Sequence, residues 1–458
     1  MPPPLAALLT LGFVIYAFRR DSREHPDVPR ALWLPTIWML IIGSRPLGQW
    51  LTLCGLGPAG NQETDGSPVD AIVLLALNLA GIYVLSRRRV MLGEIIRNNR
   101  LLTVFIVYCF LSVFWSDFPF VACKRLIKEI GMPVMALVVL SEPDRDEALW
   151  TIMKRSAFVL LPVSILFCKY YPKLGRSASE WGTENAYTGI TQTKNIMGCI
   201  CFILGLVFVW HWFKIWKMEK NKARRDELVW TGFFLWMIAY LFLKSKSATA
   251  LGVFVLGLLI MYLLSRPWVN KNRIGSYAMG ALAAAVFFEF TFGISGFVFG
   301  LIGRNSTFTG RVEIWKLVLR MNSNPILGTG FESFWLGDRL KRMWDIYWWH
   351  PNQAHNGYIE TYLDLGLVGL FLLLGVLLAV FFKCKRDLLR NSEVGGLQLA
   401  CLAAIVFYNW TESAFKGLHP VFLLFFIIAL DYPGPPTDSA SELGEAAPAE
   451  EDAVSVST

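Results

Sequence analysis

Charge is scarce in this chain: Lys, Arg, Asp and Glu make up 17% of 458 residues, against 55% hydrophobic ones. A water-soluble domain would have to bury that apolar surface in one very large core, which argues against a soluble enzyme. The net charge of +8 is not gathered into a stripe of Lys and Arg, so no nucleic-acid face is encoded. The eight cysteines contain no CxxC pair, and Cys199 and Cys201 fall on different faces of a helix, which argues against metal or redox chemistry. Most cysteines lie inside apolar runs, where they serve as small packing residues. The first such run, Pro4 to Ala17, lacks a basic leader and a small-residue cleavage site and reads as a short membrane helix.

What the chain has instead is apolar runs from end to end, each near the roughly 20 residues that cross a hydrocarbon core. Helix is the conformation expected of them, because an open strand leaves its backbone unsatisfied in lipid. The fold class is therefore all-α: a polytopic transmembrane helix bundle of about 12 to 13 spans, with an extended external loop that contains amphipathic helices. Ten spans are expected in residues 1–302, from Pro3–Phe18 to Tyr277–Ile302. The loop occupies 303–357, and three more spans occupy 358–430, ending with Leu418–Leu430. Residues 431–458, rich in Pro, Ala, Ser and Glu and free of Lys and Arg, predict a disordered acidic tail. Alternate short loops are strongly basic, among them Arg87–Arg89, Lys214–Arg225 and Lys383–Arg390. By the positive-inside rule these are cytoplasmic, which puts the amino terminus outside and the carboxyl terminus inside.

The 303–357 loop has an internal pattern. Thr309 and Gly310 followed by Glu313 predict a helix start, and Ile314, Leu317, Val318 and Met321 make one apolar face. Asn324-Pro325 ends that helix, Gly328 and Gly330 predict a turn, and Trp335, Trp344, Trp348 and Trp349 suit a membrane–water interface. Against the orientation rule, the loop carries Arg304, Arg311, Lys316, Arg320, Arg339, Lys341 and Arg342, and other outward positions carry Arg176, Lys194 and Lys246. Cations there fit an anionic ligand; they also fit attraction to lipid headgroups or simple solvation. Arg311 is the exception, because a cation at a helix amino terminus opposes the helix dipole and is not placed for helix stability. The same terminus offers free N–H groups to an anion. His355, at the lip of the bundle among mostly positive charges, is either a packed ring or a neutral general base. His350 is a second candidate. Its spacing of five from His355 does not match a helical metal pair, and no metal site is expected.

Several of these residues form a recognisable set. Thr309-Gly310-Arg311, Ile314-Trp315, Asn324 to Phe331, His355-Asn356-Gly357-Tyr358 and Leu365-Gly366, with Gln192 to Gly198 and Ser245 to Thr249 upstream, resemble the O-antigen ligase and polymerase (Wzy_C-type) superfamily. The Arg motif and the Trp-rich loop are most similar to its exopolysaccharide-production branch. The resemblance implies a metal-independent glycosyltransferase without cofactor, embedded in the bacterial cytoplasmic (inner) membrane with its loop periplasmic. Its donor would be an undecaprenyl-diphosphate-linked oligosaccharide and its acceptor a glycan or a lipid-linked glycan. It makes Arg311 and His355 the catalytic pair, and Arg176, Lys194, Asn195, Lys246, Arg304 and Asn356 substrate-binding residues. Direct displacement of the diphosphate would invert the anomeric centre. A reading of another class, a transporter or flippase of an anionic solute or lipid-linked glycan, would use ionisable residues at membrane depth, for which Glu289 and Arg45, with Glu129 near a span edge, are candidates.

Overall fold

The computed structural model describes residues 1–56, 67–177, 186–292, 311–321, 324–415 and 417–433, without the side chains of residues 282 and 285–292. Two helices form its centre. Helix α9 (Arg145–Tyr170; earlier helices are numbered below) starts at Asp144, whose carboxylate accepts from the amides of Asp146 and Glu147. Helix α11 (Lys194–Trp216) starts at Thr193, whose hydroxyl accepts from Ile196 N–H. Both are apolar on nearly all faces, and both bury nearly all faces, as a core helix must.

Around them stand α1 (Pro3–Glu24), α2 (Trp33–Ile42), α3 (Leu47–Leu53) and α4 (Pro68–Arg87). Then come α5 (Leu92–Asn98), α6 (Arg100–Leu111), α7 (Pro119–Glu129) and α8 (Gly131–Leu140) before α9. A short α10 (Pro172–Gly175) and a two-residue strand pair, β1 (Arg176–Ser177) with β2 (Ala186–Tyr187), lead into α11. Helices α12 (Lys222–Ser245), α13 (Ala248–Leu264) and α14 (Ile274–Phe292) follow. After them stand α15 (Arg311–Met321), α16 (Gly337–Ile346), α17 (Gly357–Arg390), α18 (Ser392–Thr411) and α19 (Pro420–Ala429). The outer helices turn large apolar side chains outward: Ile72 and Leu79 on α4, Leu251 and Val255 on α13, Phe371 and Leu378 on α17. Stripes of that size belong in lipid, and the chain is a multi-pass membrane protein.

Among the described residues six helices are long and apolar enough to cross a bilayer: α4, α9, α11, α12, α17 and α18. A seventh crossing requires α5 and the α6 segment through Trp115, which meet at 102°, to act as one. The remaining expected spans fall on shorter, broken or more charged helices, and the reason is local. Ala31–Leu51 is divided at Gly43 to Pro46, and Leu126–Leu140 is divided between α7 and α8 around Ile130. Tyr277–Ile302 is described as helix only to Phe292, and all but the first three residues of the 431–458 tail lie outside the described residues.

The loop helices come out close to expectation. Helix α15 buries Ile314 and Val318 completely and Leu317 and Met321 in part. With Phe334, Trp335, Leu340, Met343, Ala354 and Leu363 they form a second core, separate from that of the bundle. What locks this loop to the membrane helices is a break in α17 at Gly366 (φ 66, ψ −166). The backbone groups freed there pair with the loop: Leu367 N–H donates to Pro325 O at 2.8 Å, Val368 N–H to Ile326 O at 3.2 Å, and Gly330 N–H to Asp364 O at 2.8 Å. Gly328 and Gly330, both at positive φ, make the expected turn. A Cβ at Gly366 would stand 2.1 Å from Ile326 O. Gly366→Ala is therefore expected to cost about 1–3 kcal/mol or more, seen as a lower melting temperature in detergent together with faster proteolysis between residues 322 and 333. An unchanged melting temperature would rule out the break as a clamp.

Candidate functional site

Four helices begin or end at one carboxylate. Glu412 follows the last residue of α18 and is 6% exposed. Its Oε1 accepts from Arg311 Nη2 at 3.0 Å and from Asn195 Nδ2 at 3.0 Å, and its Oε2 lies 3.4 Å from His355 Nδ1. Arg311 is the first residue of α15, Asn195 lies in the first turn of α11, and His355 stands two residues before α17. The second terminal nitrogen of Arg311, Nη1, donates to Thr411 O. Thr411 Oγ1 is 2.9 Å from Thr249 Oγ1, which brings in the first turn of α13. So the amino-terminal ends of α11, α13, α15 and α17 converge on the carboxyl-terminal end of α18. Each of those four ends carries the partial positive charge of a helix dipole.

The local sequence explains the placement of the imidazole. His355 holds a left-handed backbone (φ 52), a conformation a non-glycine residue keeps only when its surroundings enforce it. Enforcement comes from both neighbours. Ala354 N–H donates to Glu360 Oε1, and Ala354 O accepts from Trp315 Nε1 at 2.8 Å. Asn356 N–H donates to Ser413 Oγ at 3.0 Å, and its side chain caps α17 by accepting from Tyr358 N–H (3.0 Å) and Ile359 N–H (3.1 Å). Gly357 allows α17 to touch α18, because a Cβ there would be 2.2 Å from Asn409 Oδ1. His355 is 5% exposed, with Nδ1 turned to Glu412.

The residues singled out from the sequence divide accordingly. Arg311, His355 and Asn195 meet at Glu412, and Lys194 precedes Asn195 in the chain. Lys246 sits at the left-handed turn (φ 47) between α12 and α13, three residues from Thr249. Asn356 spends its side chain on the helix cap and on Trp410 O, at 3.1 Å. Arg176 is joined to a different neighbourhood: it donates to Cys168 O at 3.2 Å and stacks on the Tyr187 ring at 4.7 Å, which Lys244 also approaches at 5.2 Å. Arg304 and the Glu289 side chain lie outside the described residues. Arg45 lies in the turn between α2 and α3, donates to Leu174 O and stacks on Trp50 at 5.3 Å, as a structural anchor does. Glu412 and Glu360 are the residues that sequence reasoning missed. A lone carboxylate on a short turn between two short spans looks like a solvated loop charge, and only contact reveals its partners.

The site thus defines a class: a helical membrane protein that gathers an arginine, an imidazole and helix amino termini at one end of its bundle. Residues 232–374 match the O-antigen ligase family, Wzy_C. The chain is also 26% identical over 323 residues to the exopolysaccharide production protein ExoQ of Rhizobium meliloti (strain 1021), an alignment that covers 66% of this chain and 69% of that protein. Over residues 232–374 the chain is similar to the Wzy_C O-antigen ligase family, and over two thirds of its length to an exopolysaccharide production protein, which supports a membrane function of the glycan ligase or polymerase type. The matched region contains Lys246, Arg311 and His355, while Asn195 and Glu412 lie outside it.

The carboxyl of Glu412, past the end of α18, feels opposed influences. Burial pushes its pKa up, but the hydrogen bond from His355 and the charge of Arg311 outweigh burial and hold it below the ordinary glutamate value. A folded-state value below the unfolded one gives stabilisation that is complete above the unfolded value and is lost as pH falls through the folded value. The gap in melting temperature between wild type and Glu412→Gln should accordingly be wide at neutral pH. It should close on acidification below about pH 4, near the unperturbed glutamate value. A gap that does not change with pH would show that the ionised carboxylate does not hold this site.

Proposed function

We propose that the chain is a metal-independent, inverting glycosyltransferase. It transfers or polymerises an undecaprenyl-diphosphate-linked glycan at the periplasmic face of the bacterial inner membrane. The observation that carries this reading is the convergence of Arg311 and His355 on Glu412 among four helix amino termini.

The chemistry runs as follows. The bond between the donor sugar's anomeric carbon and the diphosphate oxygen breaks, and the electron pair leaves with the undecaprenyl diphosphate. Negative charge grows on that oxygen, so fixed donors aimed at it stabilise the transition state more than the ground state. Arg311, with the dipoles of the adjoining helix ends and the positive charges of Lys194 and Lys246 in those same turns, supplies the positive field for it. The acceptor hydroxyl attacks the opposite face of the anomeric carbon, which inverts it, and gives up its proton to His355. With Nδ1 facing Glu412, Nε2 is the nitrogen left for that proton. The carboxylate fixes the ring's tautomer and then balances the imidazolium, as carboxylates do beside catalytic histidines.

Arg311→Ala and His355→Ala are each expected to lower polysaccharide output by about 100-fold or more, the usual cost of losing one such group. Protein level and membrane insertion should stay normal. Arg311→Lys should recover little, because an ammonium cannot reproduce the forked contact with Thr411 O and Glu412. The assay is surface polysaccharide in a strain whose own copy of the gene is deleted. Wild-type output from the Ala variants would end this reading.

A further inference from the structure

One group of charges takes no part in the assembly above. It lies at the carboxyl-terminal end of α1, in segments that the charge pattern assigns to the side opposite Glu412. Arg19, Arg20, Arg23 and Glu24 of α1 and Asp226 of α12 line one groove of about 710 Å³, which continues along Gly12, Ile15 and Tyr16. That volume is within the roughly 300–1,000 Å³ of ligand clefts. From Gly12 to Arg23 the helix rises roughly 16 Å, close to the hydrocarbon depth of one leaflet.

The polar end is only partly paired. Arg20 donates to Glu24 Oε1 at 2.8 Å and to Glu227 Oε2 at 3.2 Å, and its guanidinium covers Trp230 at 4.6 Å. The side chains of Arg19, Arg23 and Asp226 have no hydrogen-bond or ion-pair partner among the described residues. Arg19 and Arg23 are four apart, so they share one helix face and repel each other unless an anion lies between them. The other end is apolar and turned outward: Ile15 is 44% and Tyr16 57% exposed, and Leu8 and Leu11 continue the stripe. Gly12 leaves open space beside it, with nothing within 4 Å of where a Cβ would stand.

We propose that this groove holds one phospholipid whose headgroup carries both a phosphate and a primary amine. Arg19 and Arg23 bind the phosphate, Asp226 receives the ammonium, and an acyl chain runs past Gly12 and Ile15. Charge selects the headgroup. A purely anionic headgroup meets the carboxylate of Asp226 with no amine to neutralise it. A choline headgroup has a cation but no N–H to donate. Simple attraction of basic residues to a membrane surface would favour the anionic lipid instead. A lipid held in this way bridges α1 and α12, beside the Arg20–Glu227 pair that already joins them.

The test uses the full chain in detergent, with palmitoyl-oleoyl phosphatidylethanolamine, phosphatidylglycerol and phosphatidylcholine as separate probes. Native mass spectrometry counts the lipids retained, and thermal unfolding reads the stabilisation that a ligand of the folded state must bring. Wild type is expected to retain phosphatidylethanolamine about threefold or more over either other lipid, the scale of one exposed charge pair, and to melt highest with it. The double variant Arg19→Gln, Arg23→Gln should bind it about tenfold more weakly, the effect of losing hydrogen bonds to a charged group. Asp226→Asn should bind phosphatidylglycerol as well as phosphatidylethanolamine. If the double variant does not fold in the absence of added lipid, Arg19→Gln and Asp226→Asn carry the test singly. Equal retention of the three lipids by wild type, a preference for phosphatidylglycerol, or a phosphatidylethanolamine preference that survives these substitutions overturns the proposal.

Discussion

A carboxylate taken out of water must be paired, because desolvation of an isolated charge costs several kcal/mol or more. Glu412 meets that demand with an arginine, an amide and an imidazole drawn from three separate segments, and its neighbour Thr411 adds a fourth. The pairing orients each partner. Arg311 cannot swing away from the helix end that carries it without leaving Glu412 and its own guanidinium unpaired in a buried place. His355 cannot rotate its Nδ1 away without the same loss. One side chain, in a position with no regular secondary structure, therefore sets the relative placement of the groups that the proposed chemistry uses.

That arrangement depends in turn on how the loop is anchored. A membrane helix that breaks leaves backbone groups that lipid cannot satisfy. In α17 the break at Gly366 is satisfied by residues 325–330 of the loop. The amphipathic helices α15 and α16 are thus tied at their middle to the bundle, and α15 presents its first residue to Glu412. Trp335, Ala354 and Ser413 meet at Glu360, which ties the loop a second time, near the imidazole. Two anchors, one through backbone and one through a carboxylate, hold a segment that sequence alone would allow to move freely.

Another set of residues uses buried charge for bracing. Asp21 of α1 pairs with Lys154 Nζ (2.6 Å) and Arg155 Nε (2.8 Å) of α9, and Arg155 also covers Trp33 at 4.8 Å. Arg20 reaches Glu227 of α12 at 3.2 Å, and His211 of α11 stacks on Trp150 at 3.5 Å. These residues all come from segments that are basic in the sequence. Arg311, Asn195, His355 and Thr249, which gather around Glu412 and Thr411, come from segments that the charge pattern assigns to the opposite side.

Hydropathy and charge alternation were enough to establish a polytopic all-α bundle, because lipid imposes a solvent-wide rule on every residue that faces it. The amphipathic period of Ile314, Leu317, Val318 and Met321 was equally legible, since it is a local property of one helix. The number of crossings was not. The break at Gly366 depends on which neighbour satisfies the freed backbone, and that neighbour is distant in the chain. Arg311 and His355 stood out because each was chemically odd for its place. Glu412 did not, because an acidic residue at the end of a helix has no oddity until its burial is known. Burial and partnership belong to the packed chain: a carboxylate's role follows from which donors the fold brings within about 3 Å of it, and no local spacing encodes that.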